Sequence, residues 1–391
     1  GMSMQFPIFQ TTDELLTVIL VMVAFSLWVQ RFKAFKYVGP ALTVIVIGLV
    51  LVNLRIVPGY QDVYGVIITY CVPMSISIYL LNINLKELAK LSGKALVALV
   101  CAVFSVCLMA TVFGVIFGNK MFEGWKIAGM FVGTYTGGSS NLTAIAVGLD
   151  ADNENIAAAN AADYVIGMPT LFLMFAAPAL FQNVKYLKKI WPYHLSDEDR
   201  IGDGDEPVLM AEQKWSIQDI AWLLAIAVTI VTIATKLSAL LPSSIASAGR
   251  ILLISTISIA AAQIPAVGRL RGNLNLGLFF GLMYLSIIGF SVDLVSFFGS
   301  TMTITLFCFC VIVGSIALHL FLSRLFKVPY EYVILGITGA IADGTTASLV
   351  ASSAKWNRLV SVGLIMGVIG GVCGNYVGIM VAYLIKFFIG A

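Results

Sequence analysis

The sequence predicts an all-α polytopic membrane protein of about 10–12 membrane segments, built as two inverted repeats that each contain an interrupted or re-entrant helix. Three observations lead there. The 391-residue chain is 60% hydrophobic and 11% charged, with a mean hydropathy of +0.98, well outside the range of soluble globular domains. Apolar runs long enough to cross about 30 Å of hydrocarbon recur along its whole length. Two of these runs, in corresponding places, are broken by clusters of glycine and hydroxyl-bearing residues.

In chain order the runs lie at 15–31, 40–57, 62–81, 95–118, 126–149, 156–181, 217–241, 247–263, 277–298, 301–322, 331–353 and 359–386. No basic stretch with a short apolar core and a small-residue cleavage site precedes the first, so it is read as a span rather than a removable signal peptide. The third and ninth end in "INL" and "VDL", where Asn84 and Asp293 are read as polar residues at helix ends. The fifth holds "GTYTGGSSNLTA" and the eleventh "TGAIADGTTASL", which lay Gly138-Ser139-Ser140 over Gly344-Thr345-Thr346. The sixth holds "DYVIGM" from Asp163 and the twelfth "NYVGIM" from Asn375. The polar stretch 182–216, with "SDEDRIGDGDEP", reads as a solvated linker. A first repeat, 1–181, with its broken element at 126–149, is thereby separated from a second, 217–391, with its broken element at 331–353.

Charge distinguishes two topologies. Twelve full crossings with the N-terminus inside put 13 of the 23 basic residues in inner loops, whereas two re-entrant hairpins with the N-terminus outside put 17 of 23 there. The positive-inside rule favours the second arrangement, which also inverts the two halves. A helix that breaks yet still crosses is the competing geometry.

Backbone polar groups within a bilayer must be hydrogen-bonded, so an unwound stretch survives only inside protein or beside a wet cavity. In the fifth run Gly133, Gly137 and Gly138 permit a break. Thr136, Ser139, Ser140, Asn141 and Thr143 then supply oxygens, and the amides opening the next half-helix supply partial positive charge, an arrangement suited to an anionic substrate group. The eleventh run repeats this with Asp343 in place of Gly137, so Asp343, Gly344, Thr345 and Thr346 form a cation-accepting counterpart. Asp163, one turn from Asn160, and its repeat mate Asn375 complete the cation-binding set, with Asp163, Asp343 and Thr346 the candidate Na⁺ ligands. Small residues in membrane helices more often serve close packing, a reading that fits "GVIGGVCG" from Gly367 to Gly374.

Other chemistry has little support. No basic cluster with interleaved aromatics points to nucleic acid, and none of the six cysteines has zinc-ligand spacing, so all are read as small buried apolar residues. Ser139 and Ser140 lack an evident general base, and His319, near the end of its span, suits a hydrogen-bonded role better than a proton relay. The chain is expected not to be an enzyme and to need no cofactor beyond a coupling ion.

At "GTYTGGSSN", "AADYV", "ADGTTASL" and "GNYVG" the sequence resembles the YjcL-like family, multispanning proteins of bacteria and plastids classed as a domain of unknown function. The resemblance runs over essentially the whole chain and extends to the superfamily of cation/proton antiporters and bile-acid/sodium symporters. It implies a core domain with two crossed interrupted helices, a panel domain that by analogy supports a homodimer, and elevator-like alternating access in a bacterial inner membrane. Antiporters of that superfamily commonly carry an Asp-Asp or Asn-Asp pair where this chain has Ala162-Asp163. The departure favours a cation-coupled symporter. The expected function is secondary active transport coupling Na⁺ or H⁺ to a small organic solute such as an amino acid, short peptide or monocarboxylate, with a monovalent cation/proton antiporter as the alternative.

Overall fold

The computed structural model describes residues 5–36, 40–91, 93–201, 214–243, 245–292 and 294–391. Asp293 and most of the linker's acidic stretch lie outside the described residues. Helices account for every predicted run: α1 Thr12–Trp28, α2 Pro40–Asn53, α3 Asp62–Leu80, α4 Gly93–Phe117, α5 Gly124–Gly137, α6 Ser139–Gly148, α7 Asn153–Asn183, α8 Ile217–Ser238, α9 Ala246–Ala262, α10 Asn273–Phe290, α11 Leu294–Leu325, α12 Tyr330–Ile341, α13 Gly344–Ser353 and α14 Val360–Ile389. The protein is an all-α polytopic membrane protein, and among the described residues six helices are long and apolar enough to cross a bilayer unaided.

The fifth and eleventh runs are each two helices, α5–α6 and α12–α13. The ninth run is shorter than hydropathy indicated: α10 stops at Phe290, and 294–298 already belongs to α11. Hydropathy averages over such a boundary because both sides are apolar. Asn84 does sit at a helix end, accepting the Lys86 and Glu87 amides to cap the short turn Leu85–Leu88.

Two compact units emerge, and each takes a comparable part of both halves of the sequence. Unit 1 comprises Gly1–Ile83, Ala146–Tyr164 and Lys214–Ile304, and unit 2 comprises Asn84–Ile145, Val165–Gln213 and Thr305–Ala391. Within unit 1, α10 lies against α2 and α3. A Cβ on Gly289 would stand 2.5 Å from the Ile45 carbonyl oxygen, so α2 and α10 cross backbone to backbone. Polar links tie α3 to α10, where Ser75 Oγ donates to the Gly277 carbonyl at 2.9 Å and Asn273 Nδ2 to the Ile78 carbonyl at 3.0 Å, and α3 to α9, where Ser77 and Ser258 share a hydroxyl contact of 2.7 Å. Met74, Ile78, Leu223 and Ile230 fill the space between α3 and α8.

Unit 2 is assembled around α14, which packs on α4, α5, α12 and α13. Phe131 stacks on Tyr135 within α5 and meets Phe307 of α11, and the Tyr135 hydroxyl contacts Cys308 Sγ at 3.0 Å. The first part of the linker makes specific contacts. Residues 190–200 lie along the entry to α12: Trp191 Nε1 donates to the Val328 carbonyl at 2.8 Å, Arg324 Nε to the Ile190 carbonyl at 2.7 Å, and the Tyr330 amide to the Tyr193 carbonyl at 3.1 Å. Glu331, fully buried, accepts the Leu195 amide on both carboxylate oxygens, at 2.9 and 3.0 Å. Residues 190–200 are thus held at Trp191 and Leu195 while most of their side chains stay exposed, and 202–213 lie outside the described residues. The cysteines also divide: Cys71, Cys101 and Cys308 are buried as expected, Cys107 and Cys310 are half-buried, and Cys373 is exposed.

Candidate functional site

The two broken elements come together in unit 2. α5 ends when the Gly138 amide donates to the Thr134 carbonyl at 3.1 Å, and α12 ends when the Ala342 amide donates to the Thr338 carbonyl at 2.9 Å. At the first break Gly138 adopts φ 139° and ψ 156°, a region open essentially to glycine alone. The chain then restarts as α6 at Ser139. At the second break the restart is made by a side chain: Asp343 Oδ1 accepts the Thr346 amide at 2.7 Å, capping α13. The breaks face each other, since a Cβ on Gly138 would stand 3.7 Å from the Ala342 carbonyl oxygen and 4.0 Å from Asp343 Cβ.

A ridge of glycines on α14 makes this approach possible. A Cβ on Gly367 would fall 2.2 Å from the Gly344 amide nitrogen, and one on Gly370 would fall 1.8 Å from the Thr136 carbonyl oxygen. Both breaks therefore rest on α14 within one helical turn of each other. The small-residue packing expected of "GVIGGVCG" is what the structure shows, and it serves the breaks directly.

The predicted substrate-facing residues separate into two groups. Thr136 and Asn141 are buried, and their polar atoms are engaged by backbone. Thr136 Oγ1 donates back to the Val132 or Gly133 carbonyl, at 2.9 and 3.0 Å, and Asn141 Nδ2 bridges the Gly133 and Gly371 carbonyls at 3.1 Å each. Asn141 therefore ties the first break to α14. Ser139 and Ser140 are exposed, Thr143 and Gly137 are half-buried, and Gly138 is buried. The α6 start carries no acidic residue in its own first turn.

Among the predicted cation ligands, Asp343 is exposed, Gly344 is buried, Thr346 is half-buried, and the Thr345 side chain lies outside the described residues. Asn375 is buried on α14 directly after Gly374, where a Cβ would stand 2.2 Å from Asn141 Nδ2. Asp163 is half-buried on α7 and belongs to unit 1, while the other candidate residues belong to unit 2. Among the described residues no cluster of three His, Cys, Asp or Glu could hold a metal ion, so any cation held by the breaks would lean on hydroxyl and carbonyl oxygens around Asp343.

Two features escaped the sequence reading. The clamp made by Asn141 was hidden because an amide beside a glycine break can serve a ligand or the backbone equally well. Glu331 carried no signal, since an acidic residue in the first turn of a helix is commonplace.

A family model described as protein of unknown function DUF819 matches residues 17–388. The chain is also 26% identical over 357 residues to the uncharacterized membrane protein YjcL of Bacillus subtilis strain 168, an alignment that spans 86% of this chain and 87% of that protein. With its interrupted helices inside one apolar bundle and a family match over nearly its full length, the chain belongs to the DUF819 family of membrane proteins.

Proposed function

We propose that the chain is a secondary active transporter that couples Na⁺ or H⁺ to the movement of a small organic solute, an amino acid, short peptide or monocarboxylate. The observation that carries this reading is the meeting of two helix breaks on one turn of α14, one offering a positive helix start with exposed Ser139 and Ser140, the other an exposed carboxylate at Asp343. Opposite partial charges placed side by side suit a solute anion and a coupling cation bound together. In this proposal Asp343 and Thr346 hold the cation, with Asn375 as a further ligand, and the α6 start with Ser139 and Ser140 meets the solute carboxylate.

Inverted repeats and a kinship with the antiporter and bile-acid symporter superfamily belong to the same proposal. They draw support from the matched segments, from the equivalent Thr134 and Thr338 caps, and from the division of both halves between the two units. A multi-pass position in a bacterial inner membrane and a homodimeric assembly are part of it as well.

Thermal unfolding of the purified protein with Na⁺, K⁺ and a panel of amino acids, dipeptides and carboxylates tests the reading. Symport requires that one organic ligand stabilise the protein more when Na⁺ or H⁺ is raised. A cation shift that no solute potentiates points instead to the monovalent cation/proton antiporter. If no cation and no solute moves the transition, the transporter reading fails.

A further inference from the structure

A broken helix that crosses a membrane and a hairpin that turns back differ in one observable: the second arm lies beyond the first or beside it. Gly133 and Ile145 are twelve residues apart, which along one continuous axis would separate them by about 18 Å. In the structure they touch. A Cβ on Gly133 would run into Ile145 Cδ1 and stand 3.2 Å from Asn141 Cβ. Contacts with α14 record the same reversal. Trp125, at the start of α5, meets Tyr383 with ring centroids 5.6 Å apart, a Cβ on Gly129 would stand 2.9 Å from the Gly378 carbonyl oxygen, and Gly137 abuts Gly371. The chain then retraces that helix, with Asn141 Nδ2 donating to the Gly371 carbonyl at 3.1 Å and Ile145 facing Gly378.

The second break reverses in the same way from the other end of α14. α12 and α13 hold 12 and 10 residues, which in line would part their outer ends by about 33 Å. Instead the Tyr330 ring, opening α12, lies 6.0 Å from the ring of Trp356, just beyond the end of α13. A Cβ on Gly339 would stand 3.1 Å from the Gly367 amide nitrogen, and one on Gly363 would stand 3.2 Å from Ala347 Cβ. α12 therefore reaches Gly367 and α13 returns toward the start of α14.

We infer that both broken elements are re-entrant hairpins, rooted on opposite faces of the membrane and meeting tip to tip at Gly367 and Gly370 of α14. The roots lie near Val360 and Tyr383 of a helix that is apolar and long enough to cross. That stretch is about 35 Å long, against about 30 Å of hydrocarbon. Charge assigns the faces. Arg324, Lys327, Lys355 and Arg358 flank the second root, and the linker segment held there at Trp191 and Leu195 adds Lys188, Lys189 and Arg200. The first root has Lys120, Lys126 and Lys386, of which Lys126 is paired with Glu123. The positive-inside rule then roots α12–α13 in the cytoplasmic face and α5–α6 in the outer one.

For the candidate site the consequence is that its halves hang from opposite faces. The α6 start with Ser139 and Ser140 follows the loops of one face, and Asp343 follows those of the other. This departs from the crossed interrupted helices expected from the superfamily resemblance, in which each broken helix would pass from face to face. The inference stands independently of the transport reading, because it rests on chain direction alone.

The test uses sealed, right-side-out membrane vesicles holding the full chain. A membrane-impermeant lysine-acylating reagent is added before and after permeabilisation, and modified peptides are read by mass spectrometry. Lys327 and Lys355, exposed on either side of the second hairpin, should both be protected until the vesicles are opened, while exposed Lys120 should react at once. For the return arm of the first hairpin, Asp152→Cys in a Cys373→Ala background should react with an impermeant maleimide from the same face as Lys120; the lysine pattern of the same molecules reports whether this variant is folded. Lys327 and Lys355 modified from different faces overturn the second hairpin. Lys120 and the position-152 thiol on different faces overturn the first. Lys120, Lys327 and Lys355 all on one face overturn the opposed entry, and protection in the reverse order overturns the assignment of faces.

Discussion

Substituting Gly370 by alanine probes the feature on which the candidate site depends. The added Cβ would lie 1.8 Å from the Thr136 carbonyl oxygen and 3.0 Å from the Thr136 carbonyl carbon. A comfortable carbon-to-oxygen approach is about 3.3 Å, so α14 and the first break must separate by about 1.5 Å. The obstructing atoms are backbone and cannot swing aside. Overpacking of this kind costs on the order of 3 kcal/mol, and the better helix propensity of alanine returns about 1 kcal/mol. A net loss of about 2 kcal/mol corresponds to a fall of roughly 2–3 °C in the melting midpoint of a chain this long, read by intrinsic fluorescence of detergent-solubilised protein. Gly65→Ala on α3 is the control, because nothing lies within 4 Å of its added Cβ; it should melt at or above the wild-type temperature. If Gly370→Ala melts with the wild type, or if both variants fall equally, the close approach of α14 to the break is wrong.

Other outcomes follow from individual contacts. Asn141→Ala deprives the Gly133 and Gly371 carbonyls of their donor and should cost about 2 kcal/mol in the same melting assay; an unchanged midpoint would remove the clamp. Asp343→Asn keeps an oxygen for the Thr346 amide, so it should preserve ligand-free stability while abolishing cation-dependent stabilisation, whereas Asp343→Ala should lose about 1 kcal/mol of capping besides. In a Cys373→Ala background, Ser139→Cys and Ser140→Cys should react with a water-soluble thiol reagent and Thr136→Cys should not, since only the serines are exposed; equal labelling would contradict this geometry. Glu331→Ala should free the segment that Leu195 anchors, and trypsin should then cut faster at Lys188, Lys189 and Arg200.

The helical architecture was legible because hydropathy and length are enough to place helices in a bilayer. The breaks were legible too, since glycine beside hydroxyl residues twice over leaves little else to propose, and the alignment of Gly138 with Gly344 falls within two residues of the observed helix restarts. Which side chain faced which partner was not. Asn141 and Ser140 are neighbours of similar polarity, and only the position of Gly371 on a helix some 230 residues away decides that one is engaged by backbone and the other exposed. The contact at Leu195 was hidden for the same reason: local charge indicated solvent, and only a distant carboxylate at Glu331 holds that one amide.

The glycine ridge of α14 also acts as a ruler. Gly367 meets the second break and Gly370 the first, so the distance and angle between the starts of α6 and α13 are fixed by three residues of one helix. Inserting a single residue between them would rotate one seat by about 100° and shift it by about 1.5 Å relative to the other. Length changes here should be tolerated far less than changes of side chain, and the spacing of these glycines is the quantity to compare when chains of this family are set side by side.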